Sequence, residues 1–436
     1  QALKFMDEFP EFTFSQSSAT LYQATQVHHP ELFEKIRARV RDGRWELVGG
    51  RWCEGDNNMI SPESHVRHFL YGQRYFKKQF GRIASVGWEP DTFGHCWTMP
   101  QILLKSGINS YYFCRGGKNE PLFWWEGPDG SRVLAFEEPA TGGWYNDVVD
   151  NEKVKELIRF ALKTASPDEL MVYGVGNHGG GPTREHIESA LAMKNRKGWP
   201  KIQFSTATEF FNRLHAMTDN LTIPTIKTDL NPVFDGCYTS QSEIKRLNRK
   251  SEAALESAEV VATLAHLNDN RFGYPRAEFE ALWQDVLWGH HHDTLPGSCI
   301  HAAALYAREL LAQVVRDADR LRNIALEKIA APFDGDVVVF NTTFAVVSEI
   351  VELDRPVTNI TWNGTIQPSQ RTNNGGTVFL ATDLPAFGYR VFHAVPATPE
   401  TSHSVLPFQQ ANIPGSTGTS AATGPAATRH NAPIQP

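Results

Sequence analysis

The feature that most constrains this chain is an alternation of short apolar runs with longer amphipathic ones between residues 30 and 193. Residues 30–40 carry apolar side chains at helical spacing and stop at Asp42-Gly43, a C-terminal signal. Residues 45–50 read as a buried strand ending in a glycine turn. Residues 63–80 are a predicted helix, 84–88 a strand, 99–105 a helix and 110–114 a strand. Residues 122–125 and 132–136 are predicted strands around the turn Pro128-Asp129-Gly130. Residues 151–164 follow as a helix, 170–175 as a strand and 183–193 as a helix. Strands interleaved with helices in this way predict a parallel α/β sheet or barrel. Active residues are then expected on the loops that follow the strands.

The character changes after about Pro224. Residues 239–267, rich in Ala, Glu, Lys and Leu, predict one long helix. Residues 277–288 and 301–329 predict two more, and three helices with short connections suggest a bundle. After Pro332, short strand-like runs at 337–340, 346–353, 359–362, 377–380 and 389–392 predict the start of an all-β domain. From about Ala397 the chain is rich in Pro, Ala, Thr, Ser and Gly, a composition that buries too little apolar area to order itself. Gln1 falls in what reads as structured sequence, so the expectation is a piece of something longer.

Composition excludes some partners. A net charge of -7 with no basic cluster argues against nucleic acid and against an anionic membrane surface. No apolar run approaches the length needed to span a bilayer. Cys53, Cys96, Cys114, Cys237 and Cys299 are scattered, with no Cys-x-x-Cys pair, so neither a disulfide framework nor a thiolate zinc site is indicated. A reducing compartment, and hence a cytoplasmic location, is the simplest reading.

Four segments carry chemistry. In Trp88-Glu89-Pro90-Asp91-Thr92-Phe93-Gly94-His95, an acid sits between aromatics just after a predicted strand. A strand-end Asp often caps the next helix, but the flanking Trp88 and Phe93 suit a sugar ring, whose apolar face stacks on an aromatic. The second segment is His290-His291-His292-Asp293. It is either a solvated histidine run or a site where an imidazole binds a divalent metal beside an orienting carboxylate. The third is the glycine loop from Gly174 to Thr183, which presents Asn177 and His178. It lacks the Lys-Ser/Thr of a phosphate cradle and has no dinucleotide pattern. The fourth, Arg51-Trp52-Cys53-Glu54-Gly55-Asp56, lies at a strand end and either caps the helix after Ser61 or lines a pocket.

Together these segments resemble one family, the zinc-dependent retaining α-mannosidases of glycoside hydrolase family 38. The resemblance covers roughly residues 10 to 395. It rests on Gly43 to Gly50, the Trp52, Glu54 and Asp56 patch, Trp88-x-x-Asp91-x-Phe93-Gly94-His95, Pro100 to Leu103, the glycine loop, Tyr238 to Gln241 with Lys245 to Arg249, and His291-His292-Asp293.

The resemblance implies a multidomain α/β fold: a seven-stranded α/β barrel with its first strand missing, a three-helix bundle, then the start of a β-sandwich domain. The domains would be residues 1–230, 231–332 and 333–396, with a disordered tail at 397–436. Cleavage of a terminal α-linked mannose through a covalent glycosyl-aspartate is implied, with a mannose-containing glycan as partner and a homo-oligomer as the parent protein. Asp91 matches the nucleophile and a zinc ligand, and His292 matches a second ligand. Asp293, Arg115 and Tyr145 match sugar-binding groups, and Trp52, Asp56, Trp88, Phe93 and Asn177 are the further expected substrate contacts.

The chain departs from the family twice. The His-x-Asp zinc ligands of the family's first strand are not in this sequence. Asn177-His178 also stands where eukaryotic relatives have an Asp proton donor. Asn cannot donate usefully, which leaves His178, with an imidazole titrating near 6.5, as the acid/base. Two other function classes compete: an inactive fragment that keeps a carbohydrate-binding cleft, and another metal-dependent carbohydrate hydrolase such as a deacetylase. The second needs a His-x-x-x-His-like pair that the sequence lacks.

Overall fold

A computed structural model describes residues 1–176, 180–194, 196–231, 233–333 and 336–396. The chain divides into two compact units, Gln1–Ile329 and Ala330–Pro436.

The first unit begins with α1 (Ala2–Glu8), β1 (Phe14–Gln16), α2 (Ala19–His28), α3 (Pro30–Arg41) and β2 (Trp45–Leu47). Then come α4 (Pro62–Phe80), β3 (Val86–Glu89), α5 (Met99–Lys105), β4 (Ser110–Phe113), β5 (Leu122–Glu126) and β6 (Arg132–Glu137). They are followed by α6 (Asn151–Thr164), α7 (Arg184–Lys194), α8 (Ala207–Ala216) and β7 (Thr225–Ile226). Three long helices complete the unit: α9 (Ser242–Asn268), α10 (Arg276–Gly289) and α11 (His301–Ala330). The periodicity reading located most of these within a few residues but missed α1, α2, α8, β1 and β7.

The central sheet runs β3-β4-β6-β5-β7. Neighbours β3 and β4, β4 and β6, and β5 and β7 are parallel, while β5 and β6 form an antiparallel hairpin. Alternate side chains point to opposite faces. Tyr111 and Phe113 therefore join Phe69, Leu103, Phe123 and Trp125 in one core, while Tyr112 joins Leu134, Phe136, Phe160 and Phe210 in another. Helix α4 shows why the helices form where they do. Ser61 Oγ accepts the Ser64 N–H at 3.1 Å, Pro62 opens the first turn, and Gly81 closes the helix at a φ of 76°.

Two expectations are corrected. Among the described residues the seven strands of this unit do not close into one barrel. β1 and β2 make a separate parallel pair. Gly49 and Gly50, both at positive φ, turn the chain away after β2, and Gly49 donates a backbone bond to Val86 O at 2.8 Å. The strand expected at residues 170–175 is irregular. Its N–H groups bond within loops, Gly174 to Asp147 O and Val175 to Gly181 O, so no ladder forms there. Residues 231–329 also belong to the same compact unit as the sheets, with α10 packed on both α9 and α4.

The second unit contains β8 (Val337–Asn341), β9 (Val347–Leu353), β10 (Val357–Trp362), β11 (Thr365–Ile366), β12 (Ser369–Arg371), β13 (Thr377–Leu384) and β14 (Gly388–Pro396). They form two antiparallel sheets, β11-β10-β14-β8 and β12-β13-β9. Ile360, Phe379, Ala381 and Phe392 fill the core. The expected tail at 397–436 lies outside the described residues.

Candidate functional site

The first unit gathers its polar chemistry where the loop after β3 meets the turn after α10. Glu89, the last residue of β3, is buried and accepts Arg51 Nη1 at 2.9 and 3.0 Å on its two oxygens. Asn57 bonds the same pair, and its Nδ2 lies 3.2 Å from His95 Nδ1. Tyr111 OH reaches that nitrogen at 2.8 Å, and His95 Nε2–H donates to Arg115 O at 3.1 Å. This network pins both ends of the Glu89 to His95 turn. Gly94 sits at a φ of 132°, and a Cβ there would strike the Asn231 side chain, which accounts for glycine in the motif.

Burial holds His95 neutral, with its pKa pushed down to about 4. The sign follows from linkage. The unfolded chain binds the proton below about 6.5 while the folded one refuses it, so stability is complete above 6.5 and falls as the pH drops toward 4. His95 alone is expected to remove about 2 kcal/mol of stability at pH 5. His65, pushed down to about 3, and His68, also depressed by burial, add in the same direction. Buried carboxyls act in the opposite direction, with Glu54 and Glu156 pushed up to about 7 and Glu169 to about 9, so the check is the urea midpoint of His95→Gln against the wild type at pH 7 and at pH 5, and a difference that does not change with pH would refute it.

Asp91 projects from the pinned turn. Its Oδ1 accepts Arg115 Nη2 at 2.6 Å, Arg115 Nε at 3.2 Å and Tyr145 OH at 2.8 Å. All three bonds fall on one oxygen, and among the described residues Oδ2 has no hydrogen-bond partner. Tyr145 stays protonated and donating, because burial and the Asp91 charge both raise its pKa. Its loop is anchored by buried Lys153, whose Nζ lies 2.8 Å from Glu138, 2.9 Å from Glu156 and 3.4 Å from Asp147. The Arg115 guanidinium stands over Phe93, Trp144 and Phe234 at 5.7, 5.3 and 5.4 Å from their ring centres.

Donor atoms of His291, His292 and Asp293 lie within 4.8 Å of one another. Their hydrogen bonds distinguish the two rings. His292 Nδ1–H donates to Glu54 O at 3.0 Å, which leaves the Nε2 lone pair open, 3.9 Å from Asp293 Oδ2. His291 Nδ1 instead accepts the Asp293 N–H at 3.2 Å, so its lone pair is taken. Asp293 Oδ1 accepts Ser298 Oγ–H at 2.8 Å. Among the described residues this leaves one imidazole nitrogen and one carboxylate oxygen without a hydrogen-bond partner, two donors of the kind a divalent metal takes. Asp91 lies outside this group and is linked to it through Glu54, whose Oε1 accepts the Asp91 N–H at 2.9 Å.

Residues 1–235 match the glycosyl hydrolases family 38 N-terminal domain. The chain belongs to glycosyl hydrolase family 38. Residues 233–329 match the alpha mannosidase middle domain. Among curated relatives, alpha-mannosidase G of Dictyostelium discoideum is 38% identical over 68% of this chain and 27% of its own length. The alpha-mannosidase of Saccharomyces cerevisiae is 34% identical over 77% of this chain and 33% of its own. Human alpha-mannosidase 2C1 is 30% identical over 94% of this chain and 38% of its own. The chain thus spans about a third of the length of these relatives. The crystal structure of an alpha-mannosidase from Enterococcus faecalis superposes with a TM-score of 0.75 at 20% identity, covering 91% of this chain and 53% of that one. This supports a mixed α/β multidomain fold like that of the family.

In this family 38 chain, Asp91, Arg115, Tyr145 and Phe93 come together, and His292 and Asp293 adjoin them through Glu54. Trp88 stacks on Tyr112 at 3.9 Å and forms, with Pro90, Tyr145, Gly174 and Gly176, part of the wall of a cavity of about 530 Å³. Asp91, Phe93, Arg115, His292 and Asp293 do not line that cavity. Two further expected contacts are buried. Trp52 is 2% exposed and packs edge-on against Tyr75. Asp56 is 1% exposed, and its Oδ1 caps the turn through Asn58 N–H at 2.8 Å and Met59 N–H at 2.6 Å. Asn177 and His178 lie outside the described residues. The sequence reading gave Glu54, Trp144 and Phe234 no separate role. Glu54 carried a signal, an acid at a strand end, but its partners are distant in sequence.

Proposed function

We propose that the protein hydrolyses terminal α-linked mannose from glycans or small mannosides. The observation that carries this is the one-sided clamp on Asp91: among the described residues Arg115 and Tyr145 hold Oδ1 and none holds Oδ2. The alpha-mannosidase names of the relatives supply the sugar. In this reading Oδ2 attacks the anomeric carbon as the bond to the leaving oxygen breaks, giving a glycosyl ester on Asp91. His178 gives its proton to the departing oxygen and then takes one from the water that cleaves the ester, so configuration is retained. Phe93 and Trp88 offer apolar faces to the ring, and Asp293 accepts from its hydroxyls. His292 Nε2 and Asp293 Oδ2, with Asp91, would hold a zinc ion. Zinc when bound supplies Lewis-acid stabilisation of the sugar's developing charge. The helices of residues 231–332 then act as the bundle that carries His290 to Asp293 to the sheet.

A second reading, sugar binding without turnover, is favoured by Asp91 lying outside the His291 to Asp293 donor group. Hydrolysis of an aryl α-mannoside separates the two. Turnover is expected with zinc, lost on chelation and restored by zinc, with the α-anomer appearing first by NMR. No hydrolysis with zinc present would overturn the enzymatic reading.

A further inference from the structure

Glu54 makes hydrogen bonds to both halves of the site. The Glu54 side chain accepts the Asp91 N–H through Oε1 at 2.9 Å. The Glu54 carbonyl accepts His292 twice, from ring Nδ1–H at 3.0 Å and from the backbone N–H at 3.3 Å. The segment around it is stitched to the same histidine run. Gly55 pairs with His291 as an antiparallel bridge, and Asp56 N–H donates to His290 O at 2.8 Å. Thr92 Oγ1–H, one residue past Asp91, donates to Gly55 O at 3.2 Å. From the far side, His290 is held by Asn248 Oδ1 at 2.7 Å from Nε2 and by His68 Nε2 at 3.2 Å from Nδ1.

The geometry points to Glu54 as the positioning residue that joins the Asp91 turn and the His292 ring into one rigid frame. Two consequences follow from its bonds. The carbonyl contact fixes His292 as the Nδ1–H tautomer, so the lone pair stands on Nε2, facing Asp293. The side-chain contact fixes the backbone from which Asp91 projects, and with it the direction of Oδ2. A carboxylate that moves by about 1 Å from its attacking position loses on the order of 10²-fold in rate. The loop therefore needs a tether that does not depend on bound sugar. Glu54 supplies it without touching Arg115 or Tyr145 in any of its hydrogen bonds among the described residues. Its effect on catalysis is through other residues.

The proposal deepens the α-mannosidase reading and rests on it for its kinetic test. Glu54→Ala removes the bond to Asp91. Glu54→Gln keeps an Oε1 that accepts the same N–H. In the full chain with zinc, Glu54→Ala is expected to lower kcat about 10- to 100-fold and to weaken zinc in chelator competition by a similar factor, with KM little changed. Glu54→Gln is expected to recover most of both. Glu54→Ala at wild-type kcat would overturn the proposal. So would Glu54→Gln falling as far as Glu54→Ala, which would make the negative charge, not the bond, the working part. An independent readout is the long-range proton–nitrogen spectrum of His292 in metal-free protein. It is expected to show protonated Nδ1 in the wild type, in Glu54→Gln and in Glu54→Ala alike, because the backbone carbonyl that holds the ring survives both substitutions. No turnover by the unsubstituted chain would defeat the α-mannosidase reading and leave two readouts to decide the Glu54 proposal, the imidazole spectrum for the carbonyl contact and the zinc competition of Glu54→Ala against Glu54→Gln for the side-chain contact. A mixture already present in the wild type would refute it.

Discussion

Asp91→Asn is expected to cut hydrolysis of an aryl α-mannoside by roughly 10⁴-fold or more, with the fold intact. The substitution keeps volume and shape. Its amide oxygen can still take the bonds that Arg115 and Tyr145 now give to Oδ1. What is lost is the free carboxylate oxygen, and an amide nitrogen cannot form the glycosyl ester. The Asp91 side chain is only partly buried, 26% exposed, so the exchange leaves no deeply buried unpaired charge. Circular dichroism and the urea midpoint should therefore match the wild type. The cavity-forming variant Asp91→Ala adds a sharper check. Azide supplied in solution should enter the space, attack the anomeric carbon from the same side as Asp91 and give a β-mannosyl azide. Full activity in Asp91→Asn would remove Asp91 as nucleophile and with it the covalent route.

Arg51→Met is expected to cost about 3–5 kcal/mol of stability, the usual loss when one partner of a buried pair is removed. Arg51 is 2% exposed and Glu89 is 1% exposed. Without the guanidinium, Glu89 keeps Asn57 as a partner but no counter-charge. Glu89 is two residues from Asp91, so turnover should fall with stability. The discriminating variant is Arg51→Met with Glu89→Met, which removes both charges and should recover much of the loss. Urea unfolding of the single and double variants provides the measurement. Equal losses in the two would show that packing, not the uncompensated charge, sets the cost.

Much of the site was legible because its motifs are local. Asp91 could be placed at a strand end from the apolar run before it, and His292 and Asp293 from their adjacency. Arg115 and Tyr145 were assigned by resemblance, and the structure brings both onto one oxygen of Asp91. For Trp52 and Asp56 the sequence could not say more, because charged and aromatic side chains at a strand end read alike whether they face a cleft or a core. Only the surrounding chain shows that Trp52 meets Tyr75 and that Asp56 closes its own turn. Trp144 and Phe234 gave no periodic signal and are recognised by the guanidinium lying over them.

By itself the sequence determined the alternation of strands and helices, the change of character near residues 224 and 332, and the two acid-bearing motifs. Each depends on residues a few positions apart, whose spacing sets periodicity, capping and turn geometry. Tertiary structure alone decided where the backbone bonds of residues 170–175 go. The run is apolar enough for a strand, but the N–H groups of Gly174 and Val175 go to Asp147 O and Gly181 O. It also decided that β1 and β2 pair with each other outside the five-stranded sheet, with two positive-φ glycines directly after β2 and the Gly49 N–H bonded to Val86 O. It decided the part played by Glu54, whose contacts reach 37 residues to Asp91 and 238 to His292. Local pattern carries no information about such pairs, since which distant groups meet is set by how the whole unit packs.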